Sequence, residues 1–481
     1  MNKNKSLTAL LLLFAWPVAA AQLTEGQADT HAAARAVEKT AAADKAPAAL
    51  PDKSYLIPAL EVISFDLLLS GFNRRFSGID DYNVSSRSIR ANLRGPWVVD
   101  NDPFMINQAA HPYQGSLYHA AGRATGLNYW EASALTFAGS AWWEITGEQT
   151  KPSINDQVAS GIAGSFLGEP LFRMAKLVQD RSNLPYTARR WLAAVISPSV
   201  GLNQIMFGSR FDNSFSDHDP EYYGRLHLGV TRATTNDFDT TPDFRKNAAQ
   251  ADFSLDYGMP GKPGYTYNRP FDYFSFHGLI STANGVENLN TRGLLIGTDY
   301  AAGDNYRGIW GLYANYDYLS PQIFSLSTTS LSVGTTGQWW LSQNIALQGT
   351  GLAGFGYAAA STARVSTELP EYHYGTAPRV GLSLRLIADK RASIDVSAMM
   401  VSLGSVARRN AGRDDISRVD TAFTWRVSGP HAVGINYVWS HRSSDYPGNI
   451  TRTQSLGRVG IFYTLLGQDG FGAVDWRANS L

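Results

Sequence analysis

Cysteine, long apolar runs and net charge are all absent from this chain of 481 residues. Without cysteine there is no disulfide framework, and the chain can cross an oxidising periplasm without stray thiols. No uninterrupted run of about 18 apolar residues is present beyond the N-terminal segment, and the nearest candidate, 55–71, is interrupted by Glu61 and Asp66. The 41 basic and 41 acidic side chains cancel, so the basic surface that nucleic-acid binding normally requires is missing.

The N-terminus carries an export signal. Lys3 and Lys5 precede an apolar stretch at 7–18, and three alanines end at Ala21. This order of basic, apolar and small residues predicts a signal peptide over 1–21. The alanine-rich segment that follows, 22–52, is predicted to be a flexible periplasmic leader without a packed core.

From about 221 to 466 the chain shows twelve short runs in which apolar and polar residues alternate. Val433, Ile435, Tyr437 and Trp439, for example, fall on one face of a strand. The 44 glycines, 23 tyrosines, 22 phenylalanines and 12 tryptophans are typical of a barrel wall with aromatic girdles. We therefore predict a mainly β protein, an antiparallel transmembrane β-barrel of about 12 strands (range 10–14) over 217–467.

The connections between these runs support the barrel. Short links are expected at 302–305, 342–344, 389–391 and 428–431, and long ones at 234–246, 361–376, 407–418 and 441–453. Outer-membrane barrels alternate short and long connections in this way. The link at 259–270 is long where a short turn is expected.

Inward-facing charges of both signs are predicted to pair with each other or with the plug in a wet lumen, and their balance does not indicate which ions would be selected. They are Arg225, Asp252, Asp256, Asp299, Arg307, Asp317, Arg385, Asp395, Asp420, Arg426 and Arg458. Arg458, Gly460, Tyr463 and Leu465 resemble the closing-strand signal that barrel-insertion machinery recognises. The segment 468–481 is then either a periplasmic tail or a segment that folds back into the lumen.

Upstream of the barrel, the period changes toward helical spacing at about 101–208. Ser153 and Asp156 give a helix start of the capping-box kind. Gly161, Gly164 and Gly168 follow as a small-residue face that allows close helix contact. We predict a helical domain over 53–208 that plugs the lumen or caps its periplasmic mouth.

Four motifs in 101–173 carry a family resemblance: His-Pro-Tyr-x-Gly at 111–115, Trp-Glu at 143–144, Pro-Ser-Ile-Asn-Asp at 152–156 and Leu-Gly-Glu at 167–169. They resemble the signature of an uncharacterised Gram-negative family, a domain of unknown function in predicted outer-membrane proteins. The resemblance implies an outer-membrane location and an architecture, and it implies no mechanism or cofactor.

Six polar side chains on consecutive helical segments are candidate catalytic residues: His111, His119, Glu144, Glu148, Ser153 and Asp156. Histidine and carboxylates could bind a divalent metal that activates water, and a Ser, His and acid set could hydrolyse an acyl ester. No HExxH or GxSxG spacing is present. Structural roles are the alternative: Ser153 and Asp156 would cap a helix, and Glu144 and Glu148 would pair with Arg123, Arg173 or arginines of the lumen.

Three functions follow from these patterns. The preferred one is a plugged outer-membrane barrel with a structural or solute-passage role, in contact with outer-membrane lipid and assembled by the barrel-insertion machinery. The second is an outer-membrane lipid hydrolase, which requires His111 or His119 within hydrogen-bonding reach of a candidate partner in an open cavity. The third is a soluble periplasmic β-sandwich binding protein, which requires Val433, Tyr437 and Trp439 to be buried in a core.

Overall fold

The computed structural model describes residues 53–100, 102–216, 218–237, 244–362, 372–405, 412–446, 450–468 and 470–477. The predicted signal peptide and leader lie outside these residues. Seven α-helices of at least nine residues precede the strands in the described chain: α1 (Leu56–Phe76), α2 (Ser86–Arg94), α3 (His111–Ala124), α4 (Tyr129–Thr146), α5 (Gly164–Arg181), α6 (Tyr186–Ile196) and α7 (Pro198–Phe207). Two π-helices, Ile106–Ala110 and Gln157–Ala163, lead directly into α3 and α5.

Twelve antiparallel strands close into a barrel, so the predicted fold class and strand number are confirmed. The strands are β1 (Tyr222–Asp237), β2 (Asn247–Tyr257), β3 (Phe274–Ser281), β4 (Gly285–Ala302), β5 (Tyr306–Leu319), β6 (Phe324–Trp340), β7 (Ile345–Thr362), β8 (Tyr372–Ala388), β9 (Ala392–Ser405), β10 (Arg413–Ser428), β11 (His431–Tyr446) and β12 (Ile450–Leu466). The first and last strands pair, for example Val230 with Ile461, which leaves no free edge.

The outward face of the barrel is apolar and open. Val433 is 49% exposed and Tyr437 38% exposed, where a sandwich would bury them in a core. Ile435, Ile461 and Val230 on neighbouring strands are more than half exposed. An exposed apolar belt around a closed barrel is the surface that lipid covers. The prediction of a soluble β-sandwich was therefore wrong.

The short turns occur where the sequence predicted them, between β4 and β5, β6 and β7, β8 and β9, and β10 and β11. Several strands are longer than predicted, because β8 begins at Tyr372 and β10 at Arg413, inside segments expected to be loops. The long link between β2 and β3 is packed: Tyr265 donates to the carbonyl of Asp272 and Tyr267 to that of Gly258. The link lies at the short-turn end of the barrel, because it joins the end of β2 to the start of β3.

The helices pack against the outside of the barrel wall. Tyr316 donates to the carbonyl of Gln108, and Thr291 donates to that of Phe166 in α5. The next residues along these two strands, Asp317 and Arg292, contact β8 across the lumen. Because successive side chains on a strand point to opposite faces, Tyr316 and Thr291 point outward. The helical domain is present, but it lies beside the barrel, which corrects the predicted position in or below the lumen.

This contact extends along the wall. It runs from Tyr257 and Phe274, at the short-turn end of β2 and β3, to Tyr374 near the long-loop end of β8. Several outward aromatic side chains of these strands are therefore buried by helices where other strands would meet lipid. Tyr257, Phe274 and Tyr316 are each no more than 1% exposed.

Helix α1 is long and apolar enough to cross a membrane by length and composition. Its acids face the domain interior: Asp66 accepts hydrogen bonds from Tyr118 and Gln114, and Glu61 accepts from Asn203. The opposite side exposes Leu67 and Leu68, the latter by 75%. The two acids that interrupt the apolar run in the sequence therefore do not interrupt the apolar surface of the helix.

Buried side chains lie at both ends of the lumen among the described residues. At the long-loop end Leu319, Leu326 and Leu456 belong to an apolar cluster. At the short-turn end the segment 470–477 folds back into the barrel, where Val474 accepts from Gln338 and Trp340. Between the two ends lies a cavity of about 210 Å³ whose lining comes from strand residues together with Met259 and Tyr273.

Candidate functional site

Close helix packing creates a polar site in the helical domain. A Cβ on Gly115 of α3 would lie 1.9 Å from the carbonyl oxygen of Ser160, and a Cβ on Gly164 would lie 2.6 Å from the Cα of Gly115. Glycine at both positions therefore lets α3 approach the helix that begins at Ile154. This contact brings the N-terminal turn of α3 next to the turn Ile154–Asp156.

Three of the six candidate residues meet in this site. His111, Glu144 and Asp156 each offer a ligand atom, and the three atoms lie within 4.8 Å of one another. His111 Nε2 is 3.6 Å from Asp156 Oδ2, which is too long for a hydrogen bond. All three side chains are at least 96% buried. The arrangement matches what a metal ion requires of mixed nitrogen and oxygen ligands.

The ring of His111 is fixed by a residue that the sequence did not single out. His111 Nδ1 lies 3.2 Å from Ser160 Oγ, and Ser160 is buried. Ser160 follows Asp156 by four residues, a spacing that places both on one side of a helix. That spacing is the signal in the sequence that points to Ser160.

Ser153 has the structural role that capping predicts. Its Oγ accepts from the backbone N–H of Asp156 at 3.2 Å and donates to Asn155 Oδ1 at 2.9 Å. Its own N–H donates to Glu144 Oε2 at 2.8 Å. Ser153 thus orients Glu144 and starts the helix, and its hydroxyl has no hydrogen bond to either candidate histidine in the described structure.

Further carboxylates surround the three residues. Asp100 accepts from Asn107 at 2.7 Å and from Asn155 at 2.9 Å, and the same Asn155 amide donates to Asp156 and to Tyr374 of the barrel. Burial and the hydrogen-bonded, negatively charged Asp100 raise the pKa of Asp156 to about 11. Burial opposes ionisation of Asp100 as well, but the hydrogen bonds it accepts outweigh it and lower its pKa.

Glu148 lies at the edge of this acidic group. Trp143 Nε1 donates to it at 3.1 Å and Thr150 at 3.2 Å. Burial and the charge of Asp102 raise the pKa of Glu148 to about 7. Among the described residues, no lysine or arginine nitrogen lies within 4.0 Å of a carboxylate oxygen of Asp100, Glu144, Glu148 or Asp156. The expectation that Glu144 and Glu148 pair with Arg123, Arg173 or arginines of the lumen was therefore wrong.

Those arginines bind Glu169 in α5. Arg123 Nε donates to Glu169 at 2.7 Å, Arg173 Nε donates at 2.9 Å, and His119 Nε2 lies 3.0 Å from the same carboxylate. Burial lowers the pKa of His119, while the two arginines and His119 hold the pKa of Glu169 well below its usual range against the effect of burial. His119 is thus in a second, structural cluster, apart from His111.

The geometry does not meet the requirement set for hydrolysis. The cavity in the lumen is lined by other residues, and His111, Glu144 and Asp156 are buried in the helical domain. His111 lies between Ser160 and Asp156, as the histidine does in a Ser-His-acid set. However, all three residues are buried, and the distance from His111 to Asp156 is too long for a hydrogen bond. The arrangement can hold a cation more readily than it can admit a lipid.

Several solved structures of outer-membrane barrels resemble the chain. The NanC porin is 10% identical with a TM-score of 0.27, and the match covers 50% of this chain and 98% of that chain. The outer-membrane channel DcaP of Acinetobacter baumannii is 9% identical with a TM-score of 0.23, and the match covers 52% of this chain and 97% of that chain. OmpT of Vibrio cholerae is 9% identical with a TM-score of 0.20, and the match covers 52% of this chain and 98% of that chain. The described fold itself, a closed barrel with a lipid-facing belt, belongs in an outer membrane.

No curated protein matches the chain. Residues 96–199 match the family model of a domain of unknown function, DUF3943. The match covers α3, α4, α5 and α6 together with both π-helices, and so includes His111, Glu144, Asp156 and Ser160. The helical domain of this chain is therefore similar to DUF3943.

Proposed function

We propose that the barrel has a structural role: it is a closed scaffold that holds the helical domain in the outer membrane. The observation that carries this proposal is the position of the helices on the lipid-facing side of the wall. A helical domain placed there replaces lipid over part of the outward face of β2 to β8, and its own outer surface then faces lipid.

The outer surface of the helices suits that environment. Leu67 and Leu68 of α1, Trp191 and Val195 of α6 and Ile205 of α7 are between 41% and 75% exposed. So many large apolar side chains on the surface of a soluble domain would favour aggregation. In a membrane the same side chains are in their preferred solvent.

Passage of a solute is the less favoured role, because ion pairs connect opposite sides of the lumen. Arg225 and Arg385 both bind Asp395, and Arg385 also binds Asp256, so that β1, β2, β8 and β9 are joined across the interior. Arg458 reaches Glu287 in the same way. Together with the apolar clusters at both ends, these contacts support a barrel that does not conduct.

The experiment uses the absence of cysteine in the chain. Single variants Leu68→Cys in α1, Val433→Cys on the barrel belt and Asn305→Cys in a short turn are labelled with bimane and reconstituted with brominated lipid. We expect Leu68→Cys to be quenched as strongly as Val433→Cys, with Asn305→Cys much less quenched. A label at Leu68 that is quenched no more than the one at Asn305 would contradict a membrane location of the helices.

A conductance measurement separates the two roles. Wild-type protein in a planar bilayer should show no steady conductance, whereas removal of 470–481 should open the short-turn end and raise it. Steady conductance of the wild type, with the ion-pair residues intact, would favour solute passage instead.

The narrower assignments belong to the same proposal. The signal peptide over 1–21, contact with outer-membrane lipid and assembly by the barrel-insertion machinery all agree with a lipid-facing barrel. Membership of the Gram-negative family with the four sequence motifs agrees with the match at 96–199.

A further inference from the structure

The polar site in the helical domain contains more buried carboxyl groups than basic side chains. Asp100, Glu144 and Asp156 face a single histidine, and in the described chain no lysine or arginine lies within salt-bridge distance of them. Buried carboxylates without a counter-charge are costly, so such groups normally bind protons, cations or metals.

We infer that His111, Glu144 and Asp156 form a buried site for a divalent transition metal, with Zn²⁺ as the best-fitting ion. Two ligands of one tetrahedral zinc lie about 3.3 Å apart, given metal–ligand distances of about 2.0–2.1 Å. His111 Nε2 and Asp156 Oδ2 are 3.6 Å apart, close to this spacing and longer than a hydrogen bond.

The surrounding hydrogen bonds orient each donor toward the centre. Ser160 holds His111 by Nδ1, which leaves Nε2 directed at Asp156. The backbone of Ser153 holds Glu144 by Oε2, and Asn155 holds Asp156 by Oδ1. Metal ligands are typically fixed by partners of this kind, and the partners strongly affect metal affinity.

The donor set also selects among ions. Ca²⁺ and Mg²⁺ take oxygen ligands, whereas an imidazole nitrogen favours zinc and its neighbours in the first transition series. One imidazole and two carboxylates leave a fourth position for water or for Asp100, which is in hydrogen-bond contact with Asp156. Because the site is buried against the Tyr374 end of β8, the ion would hold the turn Ile154–Asp156, α3 and α4 together beside the barrel wall.

The test is zinc titration of the full-length, EDTA-treated protein in detergent by calorimetry. We expect one zinc per chain, and at least tenfold weaker binding in His111→Gln and in Asp156→Asn, since loss of an orienting partner alone typically costs about 10–100-fold. Ser160→Ala should weaken binding by roughly tenfold for that reason. His277→Gln is the matched control: its ring lies 2.8 Å from Asp252 in the lumen, outside the three-residue group, and its zinc affinity should equal that of wild type.

A second measurement does not depend on the folding of variants. Zinc-edge X-ray absorption of the wild type should show one nitrogen and two or three oxygens at about 2.0–2.1 Å. Failure of the wild type to bind zinc, an all-oxygen coordination, or equal affinity in His111→Gln and wild type would each overturn the inference. Labelling of Ser160 by a fluorophosphonate in protein that binds no zinc would overturn it in favour of a nucleophilic serine.

Discussion

Two buried polar clusters lie in the same helical domain, and they differ in how many positively charged partners their carboxyl groups have. In the first, Glu169 is bound by Arg123, Arg173 and His119, so that one carboxylate meets two permanent positive charges. In the second, Asp100, Glu144 and Asp156 meet only His111. Both clusters are built on α3, and each contains one histidine of that helix.

The difference separates a structural cluster from a candidate binding site. The Glu169 cluster is complete as a set of charges, because Arg123 and Arg173 pair with Glu169 and Arg173 also pairs with Asp272 of the barrel. The cluster at His111 is incomplete as a set of charges, because its three carboxyl groups have no arginine or lysine partner among the described residues. Most of its hydrogen bonds are nevertheless made. Burial alone does not distinguish the two, since His111 and His119 are both nearly inaccessible.

The largest effect is expected when the complete cluster is broken. Glu169→Gln removes the carboxylate that compensates Arg123 and Arg173, and loss of one partner of a buried pair costs about 3–5 kcal/mol. We expect the free energy of unfolding of the helical domain to fall by about that amount. Urea unfolding followed by circular dichroism measures it.

Glu131→Gln is the matched control for this substitution. Glu131 binds Lys53 and Tyr55 at the surface and closes the capping box with Asn128, which glutamine can also do. Its effect should stay below about 1 kcal/mol. Equal effects of Glu169→Gln and Glu131→Gln would show that the buried cluster contributes no more than a surface pair.

The barrel was predictable from the sequence because period-two alternation directly determines which face of a strand is apolar. The position of the helices was not predictable, because an outward tyrosine covered by a helix follows the same alternation as an outward tyrosine in lipid. Tyr316 and Trp310 lie on the same face of β5, yet Tyr316 is 0% and Trp310 59% exposed. Only the tertiary structure separates them.

The candidate site was predictable to the extent that local spacing determines it. His111, Glu144 and Asp156 were singled out for residue type and proximity in sequence, and the fold brings these three together. The pairing of Arg123 and Arg173 with Glu169 depends on how α3 and α5 cross, which spacing within one helix does not reveal. Arg173 and Glu169 are four residues apart on α5, and that was the available signal.

Substitution of Glu148, at the edge of the cluster at His111, should stabilise the protein, whereas substitution of Glu169 should destabilise it. The pKa of Glu148, about 7 in the folded protein, is above its ordinary value of 4.5. The folded state therefore holds a proton that the unfolded state releases, and stability falls as pH rises from about 4.5 to about 7. At about 1.4 kcal/mol per pKa unit, and with a discount for partial exposure, we expect a loss of about 1–2 kcal/mol in metal-free protein.

Glu148→Gln should remove this loss and be the more stable protein at pH 8 by about that amount. Urea unfolding at pH 5 and pH 8 tests it. Glu131→Gln again serves as the control, because the pKa of Glu131 is lowered to about 2, mainly by its hydrogen bond with Lys53, and its titration lies below this pH range. The same pH dependence in Glu148→Gln and wild type would show that another group is responsible.

The smallest effect is expected at the surface pair of Lys53 and Glu131, which belongs to neither cluster. Their side chains are 2.6 Å apart but 35% and 27% exposed, so water screens the attraction. A double-mutant cycle of Lys53→Met and Glu131→Gln should give a coupling energy of about 0.2–1 kcal/mol, falling further in 1 M salt. A coupling of 3 kcal/mol or more, independent of salt, would mean that this end of the helical domain is as dry as the interior around Glu169. The contrast between buried and exposed charge pairs would then no longer hold within this domain.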